Sequence, residues 1–143
     1  MTRTPQPLRL LAQDAEDLAV ISAALQDAVG KLGDISYEPA ARRLTLAFNR
    51  FCWEGGGRST ERVRTALQIG GVLSVKARKL RRDAPQGVVE LLALGFEPAE
   101  TPGGAVTLTF AGGGDLRCTV ECIDAVLSDV SAPWPTQRAP AHE

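Results

Sequence analysis

The residues with the most obvious chemical potential are three cysteines, a single histidine and a dense run of bases. Cys118 and Cys122 flank Thr119, Val120 and Glu121. A thiolate there would be a nucleophile if a neighbouring cation or base lowered its pKa. The sole histidine, His142, lies in a Pro/Ala-rich stretch beside the last residue. A Ser-His-Asp triad, a Cys-His pair or a His-bearing metal site inside the folded domain therefore has no imidazole to use. Alternation puts Cys118 with Leu116 and Val120 on a core face, where small thiols are usually inert. Glu121 and Cys122 stay as weak site candidates. Two cysteines alone lack two ligands of a structural metal site, so no metal and no cofactor is expected.

Gly55-Gly56-Gly57-Arg58-Ser59-Thr60 looks superficially like a phosphate loop. It lacks the Gly-x4-Gly-Lys-Ser/Thr spacing, and an alternating strand rather than a helix follows, so it reads as a hairpin loop. Asp14, Glu16 and Asp17 are explained by capping a helix that begins there.

The strongest non-structural signal is charge segregation. Between Arg42 and Arg82 stand eleven bases and two acids, a local net charge of +9, whereas the whole chain carries −1. Arg62, Arg64, Lys76 and Arg78 share the even positions of an alternating pattern, and form the candidate binding surface. A basic stripe of this kind suits an acidic protein surface or nucleic-acid phosphates. Aromatics interleaved with the bases would favour single strands, and after Trp53 the basic segment has none. The plainer explanation is that outward strand faces need charge and that the acidic flanks pair with the basic middle. The sequence pI near 5.9 agrees with that.

The elements that must position these residues follow from periodicity. A chain of 143 residues, 44% hydrophobic, suits one domain with a real core. Its bounds are read as 1–130, with a flexible Pro/Ala-rich tail over 131–143. Leu8, Leu10 and Leu11 open a short strand. Leu18, Ile21, Leu25 and Val29 predict a helix of about four turns, ended by Gly30 and Gly33. Period two then takes over: Leu44, Leu46 and Phe48 alternate, and Phe51 and Trp53 shift parity, which predicts a β-bulge near Asn49–Arg50. Val63, Thr65, Leu67, Ile69, Leu73, Val75 and Ala77 are all odd. A two-residue hairpin at Gly70-Gly71 would scramble that series, so one long strand bending at the glycines is expected. Val106–Phe110 and Leu116–Val120 form a hairpin around Gly112–Asp115. Ile123, Val126, Leu127 and Val130 predict a short C-terminal helix. Ile35-Ser-Tyr-Glu-Pro-Ala echoes Leu94-Gly-Phe-Glu-Pro-Ala, either as a duplication or as two hairpins with the same turn chemistry.

The expected fold is α+β. It is a mainly antiparallel, strongly bent sheet or partly open barrel of about seven strands, with a helix near the N-terminus and a C-terminal capping helix. The pleckstrin-homology-like superfold has that order, an analogy that implies no ligand.

Five blocks carry a resemblance: Asn-Arg-Phe-Cys-Trp-Glu at 49–54, Val-Leu-Ser-Val at 72–75, Leu-Leu-Ala at 91–93 with Phe-Glu-Pro at 96–98, Leu-Thr-Phe-Ala-Gly-Gly-Gly at 108–114, and Val-Glu-Cys at 120–122. They resemble an uncharacterised alphaproteobacterial family catalogued as a domain of unknown function (family 2948), over about Leu8 to Trp134. The resemblance implies a bacterial cytoplasmic protein, and transfers no activity, ligand or catalytic residue. No secretory leader and no apolar run of transmembrane length is present, which also points to the cytoplasm and away from membranes. The expected function is a non-enzymatic binding or adaptor module that offers its basic sheet face to an acidic protein partner. The alternatives are RNA binding through the same face, or small-ligand binding or catalysis by a Glu or Cys inside the barrel.

Overall fold

In the computed structural model, residues 7–52, 61–81 and 83–135 are described. The Gly55–Thr60 loop, Trp53, Arg82 and the tail from 136, with His142, lie outside the described residues. The chain opens with β1 (Arg9–Ala12) and one helix, α1 (Ala15–Ala24). Asp14 caps the helix as its position demands, its carboxylate accepting from the Asp17 amide at 2.7 Å. Leu18 and Ile21 face the core, but the helix stops ten residues after it starts. Leu25 closes it, Asp27 takes a left-handed φ of 65°, and Val29 belongs to a strand instead. The expected four-turn helix is overridden because residues 27–31 find better backbone partners outside. The Asp27 amide donates to Leu91 O and the Leu91 amide to Ala28 O.

The following strands are β2 (Val29–Lys31), β3 (Ile35–Glu38), β4 (Arg43–Phe51), β5 (Glu61–Ile69), β6 (Val72–Arg78) and β7 (Val88–Pro98). They continue with β8 (Gly104–Phe110), β9 (Asp115–Val120), β10 (Ala125–Asp129) and the two-residue β11 (Trp134–Pro135). All pairings are antiparallel in one open sheet of order β1-β10-β5-β4-β2-β7-β8-β9-β6, with β3 beside β4 and β11 beside β5. Eleven strands and one helix among the described residues replace the expected α+β arrangement of about seven strands. The pleckstrin-homology-like reading goes with it, because the C-terminal helix it requires is β10. Ile123, Ala125 and Leu127 are the buried residues there, a period of two. The spacing of Val126 and Val130 mimicked a helix. The segment becomes a strand because β1 and β5 offer it backbone partners on both edges.

Two expectations at the level of register also change. β4 pairs with β5 without a break from Leu44↔Ile69 to Phe51↔Arg62, so the bulge near Asn49–Arg50 does not exist. Arg50 keeps the inward parity of Leu44, Leu46 and Phe48 and is itself buried, while Phe51 points to the other face. At Gly70-Gly71 the chain leaves the β4–β5 ladder and re-emerges as β6 beside β9, so it is a bend and not a hairpin. The odd series nonetheless does not run through it in one register. Val72 is fully buried and Leu73 exposed, and a bulge between Val72 and Ser74 then returns Val75 and Ala77 to the inner side.

The two Glu-Pro-Ala hairpins are equivalent in the sheet. β3-β4-β5 and β7-β8-β9 are each three consecutive antiparallel strands, and each third strand continues through a bend into a fourth that joins the opposite half. β6 pairs with β9 while β10 pairs with β5. The bends themselves are tied: the Gly70 amide donates to Asp124 O at 2.8 Å, and the Glu121 amide to Gly71 O at 3.0 Å. The aliphatic core lies inside this curl, covered on one side by α1. Ser22 on that helix accepts the Leu94 amide at 2.9 Å, just past a β7 irregularity between Leu91 and Ala93.

Candidate binding surface

The two bases that β5 turns outward are held by neighbours. Arg62 lies opposite Phe51 across the ladder, with its guanidinium 3.9 Å above the ring centroid. Partial burial lowers its pKa and nearby Glu90 offsets part of that. Arg64 donates to Asp34 at 3.0 Å and to Asn49 Oδ1 at 3.2 Å. Trp134 of β11 pairs with Arg62, which places the aromatic of the tail against this same strand.

On the other side of the glycine bend the environment differs. Lys76 is exposed, has no ion-pair partner among the described residues, and stands directly opposite Arg117 of β9. Arg78 stands opposite Asp115 and bonds it through Nε at 3.1 Å and Nη2 at 2.5 Å. Arg117 reaches Glu97 of β7 at 3.0 Å, with both side chains at least half exposed. The four bases therefore fall into two pairs on the two arms of a bent strand, β5 and β6. Arg117 joins the second pair. It lies outside the basic segment of the sequence, and its only sequence signal was outward parity in β9.

The weak candidates sit at the bend between β9 and β10. Glu121 is exposed and ion-paired with Arg42, and Cys122 is exposed. Cys118 is fully buried, and desolvation raises its pKa from 9.0 to about 12, so it is a neutral thiol at physiological pH. Among the described residues no group of three or more His, Cys, Asp or Glu could hold a metal ion. No described helix is long and apolar enough to cross a membrane.

Sequence reasoning missed the most buried polar group. Arg50 bonds Asp129 with two parallel contacts, Nε to Oδ1 at 2.9 Å and Nη2 to Oδ2 at 2.7 Å, and both side chains are almost wholly buried. Arg50 also donates to Phe51 O, and Asp129 accepts the Leu8 amide at 2.8 Å. These bonds join β4, β10 and the start of the chain, so the pair is an internal clamp. No curated protein and no solved structure matches the chain. A family profile does match, from residue 8 to residue 142, and the chain belongs to that family, described as Protein of unknown function (DUF2948).

Proposed function

We propose that the chain is a non-enzymatic binding module. In this reading the outer face of β6 and β9, with Lys76 and Arg78 and now Arg117, receives an acidic patch of a partner protein. The observation that supports it is the Lys76–Arg117 opposition. Like charges directly opposite each other in an antiparallel ladder are destabilising, by a fraction of a kcal/mol. An acidic partner placed over them would remove that repulsion. Arg62 and Arg64 stand second, because engaging a partner would draw them from Phe51 and from Asp34 and Asn49. The named outward residues Ser74, Lys76, Arg78, Arg117 and Thr119 include no aromatic on which a base could stack, which favours protein over RNA.

Reversing one charge tests this on two readouts. Lys76→Glu sets an acid opposite Arg117, so the chain gains stability by about 0.5 kcal/mol in urea denaturation. The same variant, used as bait in its native extract, recovers far less of any partner than the wild type. Unchanged recovery overturns the reading, and recovery that disappears with nuclease reassigns the face to nucleic acid.

A further inference from the structure

The sheet is open, and its opening is lined. β3 pairs only with β4, and β6 only with β9, so each presents one unpaired edge. An opening of about 300 Å³ lies between them, walled by Ile35, Tyr37 and Leu44 from one side and Val75, Ala77 and Leu116 from the other. The one polar side-chain atom in that wall, the Tyr37 hydroxyl, already donates to Val72 O at 3.1 Å. The interior thus offers hydrocarbon and no free donor. Native cores tolerate few voids larger than a water, and an aliphatic cavity of about 150 Å³ is enough to bind a small hydrocarbon.

At one end this slot reaches Leu32 and Leu80, and the same two residues line a second opening of about 380 Å³. That second opening carries Lys79 and Arg81 beside bare backbone at Gly87, Gly112 and Gly114. Lys79 has no ion-pair partner among the described residues. Arg81 approaches Asp83 only to 3.9 Å, with both side chains about four-fifths exposed, so its charge is screened and not neutralised. An apolar slot therefore opens onto a basic mouth. The complementary ligand has an aliphatic body without hydrogen-bonding groups and an anion at one end.

We propose that this channel binds a single-chain aliphatic carboxylate, its chain between β3 and β6 and its carboxylate at Lys79 and Arg81. The site is separate from the outer β6–β9 face and does not depend on it. A slot of this volume with no donors inside fits one unbranched chain better than a ring with heteroatoms, which would leave its polar atoms unpaired.

A fluorescent fatty acid, dansylaminoundecanoate, is titrated into the full chain and displaced with dodecanoate or with dodecanol. The expected result is saturable binding, displaced by dodecanoate at about one-tenth the concentration needed for dodecanol. The exposed double variant K79E/R81E weakens the carboxylate by about tenfold or more and levels the two competitors, with an unchanged melting curve. Ala77→Phe, which fills the slot, abolishes binding. Absence of probe binding by the wild type, equal displacement by alcohol and acid, or unaltered binding by K79E/R81E each overturns the proposal. The surface variant keeps the test decisive if Ala77→Phe does not fold.

Discussion

Arg50 illustrates how a single residue can be read correctly by pattern and then misread by type. The alternation of Leu44, Leu46 and Phe48 places position 50 inside, and a strict reading of parity would have left it there. A buried guanidinium is so rarely favourable that a bulge looks like the cheaper explanation. What reverses this is Asp129, 79 residues away in sequence, whose carboxylate meets the guanidinium in two parallel bonds. Charge burial is tolerated when the geometry is bidentate and the remaining groups are bonded, as Phe51 O and the Leu8 amide provide. Removing one partner leaves the other charged and dry. Asp129→Ala should lower stability by about 3–5 kcal/mol in urea denaturation. The paired replacement Arg50→Met with Asp129→Leu should recover much of that loss. A loss below about 1 kcal/mol for Asp129→Ala would show that water reaches the pair.

At the scale of elements, the sequence was most readable where one face is dry and the other wet. β4, β5, β8 and β9 show clean alternation because each has an inner and an outer face, and their registers follow from it. The bend between β5 and β6 was readable as a bend because a hairpin would have broken parity. Its true geometry was not, since the correction by a bulge at Leu73 depends on β9. Gly71 holds a φ of 65°, and a Cβ there would meet nothing nearer than Glu121 Oε2 at 3.5 Å. The requirement is thus conformational and not steric. Gly71→Ala should destabilise the chain by about 1–2 kcal/mol, and Gly71→Asn by less, since Asn enters the left-handed region more readily. Thermal melting of the two variants checks the order. If alanine is tolerated as well as asparagine, the bend does not rely on that conformation. The ends of the helix and the nature of β10 were not legible for a different reason. Ile123–Val130 satisfies both periods locally, and the choice is made by the two strand edges that receive it.

For the whole molecule, the exchange of β6 and β10 between the two halves makes each half incomplete without the other. Denaturant unfolding should therefore be a single transition. Its midpoint should also fall in alkali, by a mechanism that Cys118 makes measurable. Folded, this thiol holds its proton up to about pH 12, and its ordinary pKa is 9.0. Between those values the unfolded chain has released a proton that the folded chain retains, so stability falls as pH rises. The slope from this group is about 1.4 kcal/mol per pH unit, and its contribution is fully present below pH 9. Cys118→Val removes the slope, and the difference between the two proteins across pH 9 to 11 isolates it. Equal slopes would mean that the thiol is wetter than its full burial indicates.

Charge illustrates the same division on the largest scale. The +9 segment is a property of the sequence, and so is the outward parity of its bases. Whether a base is spent inside the molecule or left for a partner is decided by what the fold sets beside it: Phe51 and Asp34 for Arg62 and Arg64, Arg117 for Lys76. The apolar slot and its basic mouth were invisible in sequence, because Leu32, Leu44, Val75 and Leu116 each look like ordinary core residues. Sequence alone determined the antiparallel character, the inner faces, the capped start of α1 and the exclusion of histidine chemistry from the folded core. These depend on local period, local capping and composition. Tertiary structure alone decided that the C-terminal segment is a strand, that Arg50 is buried, and that the sheet stays open between β3 and β6. Each of those depends on which distant backbone edge or side chain arrives as a partner, and no local pattern encodes that.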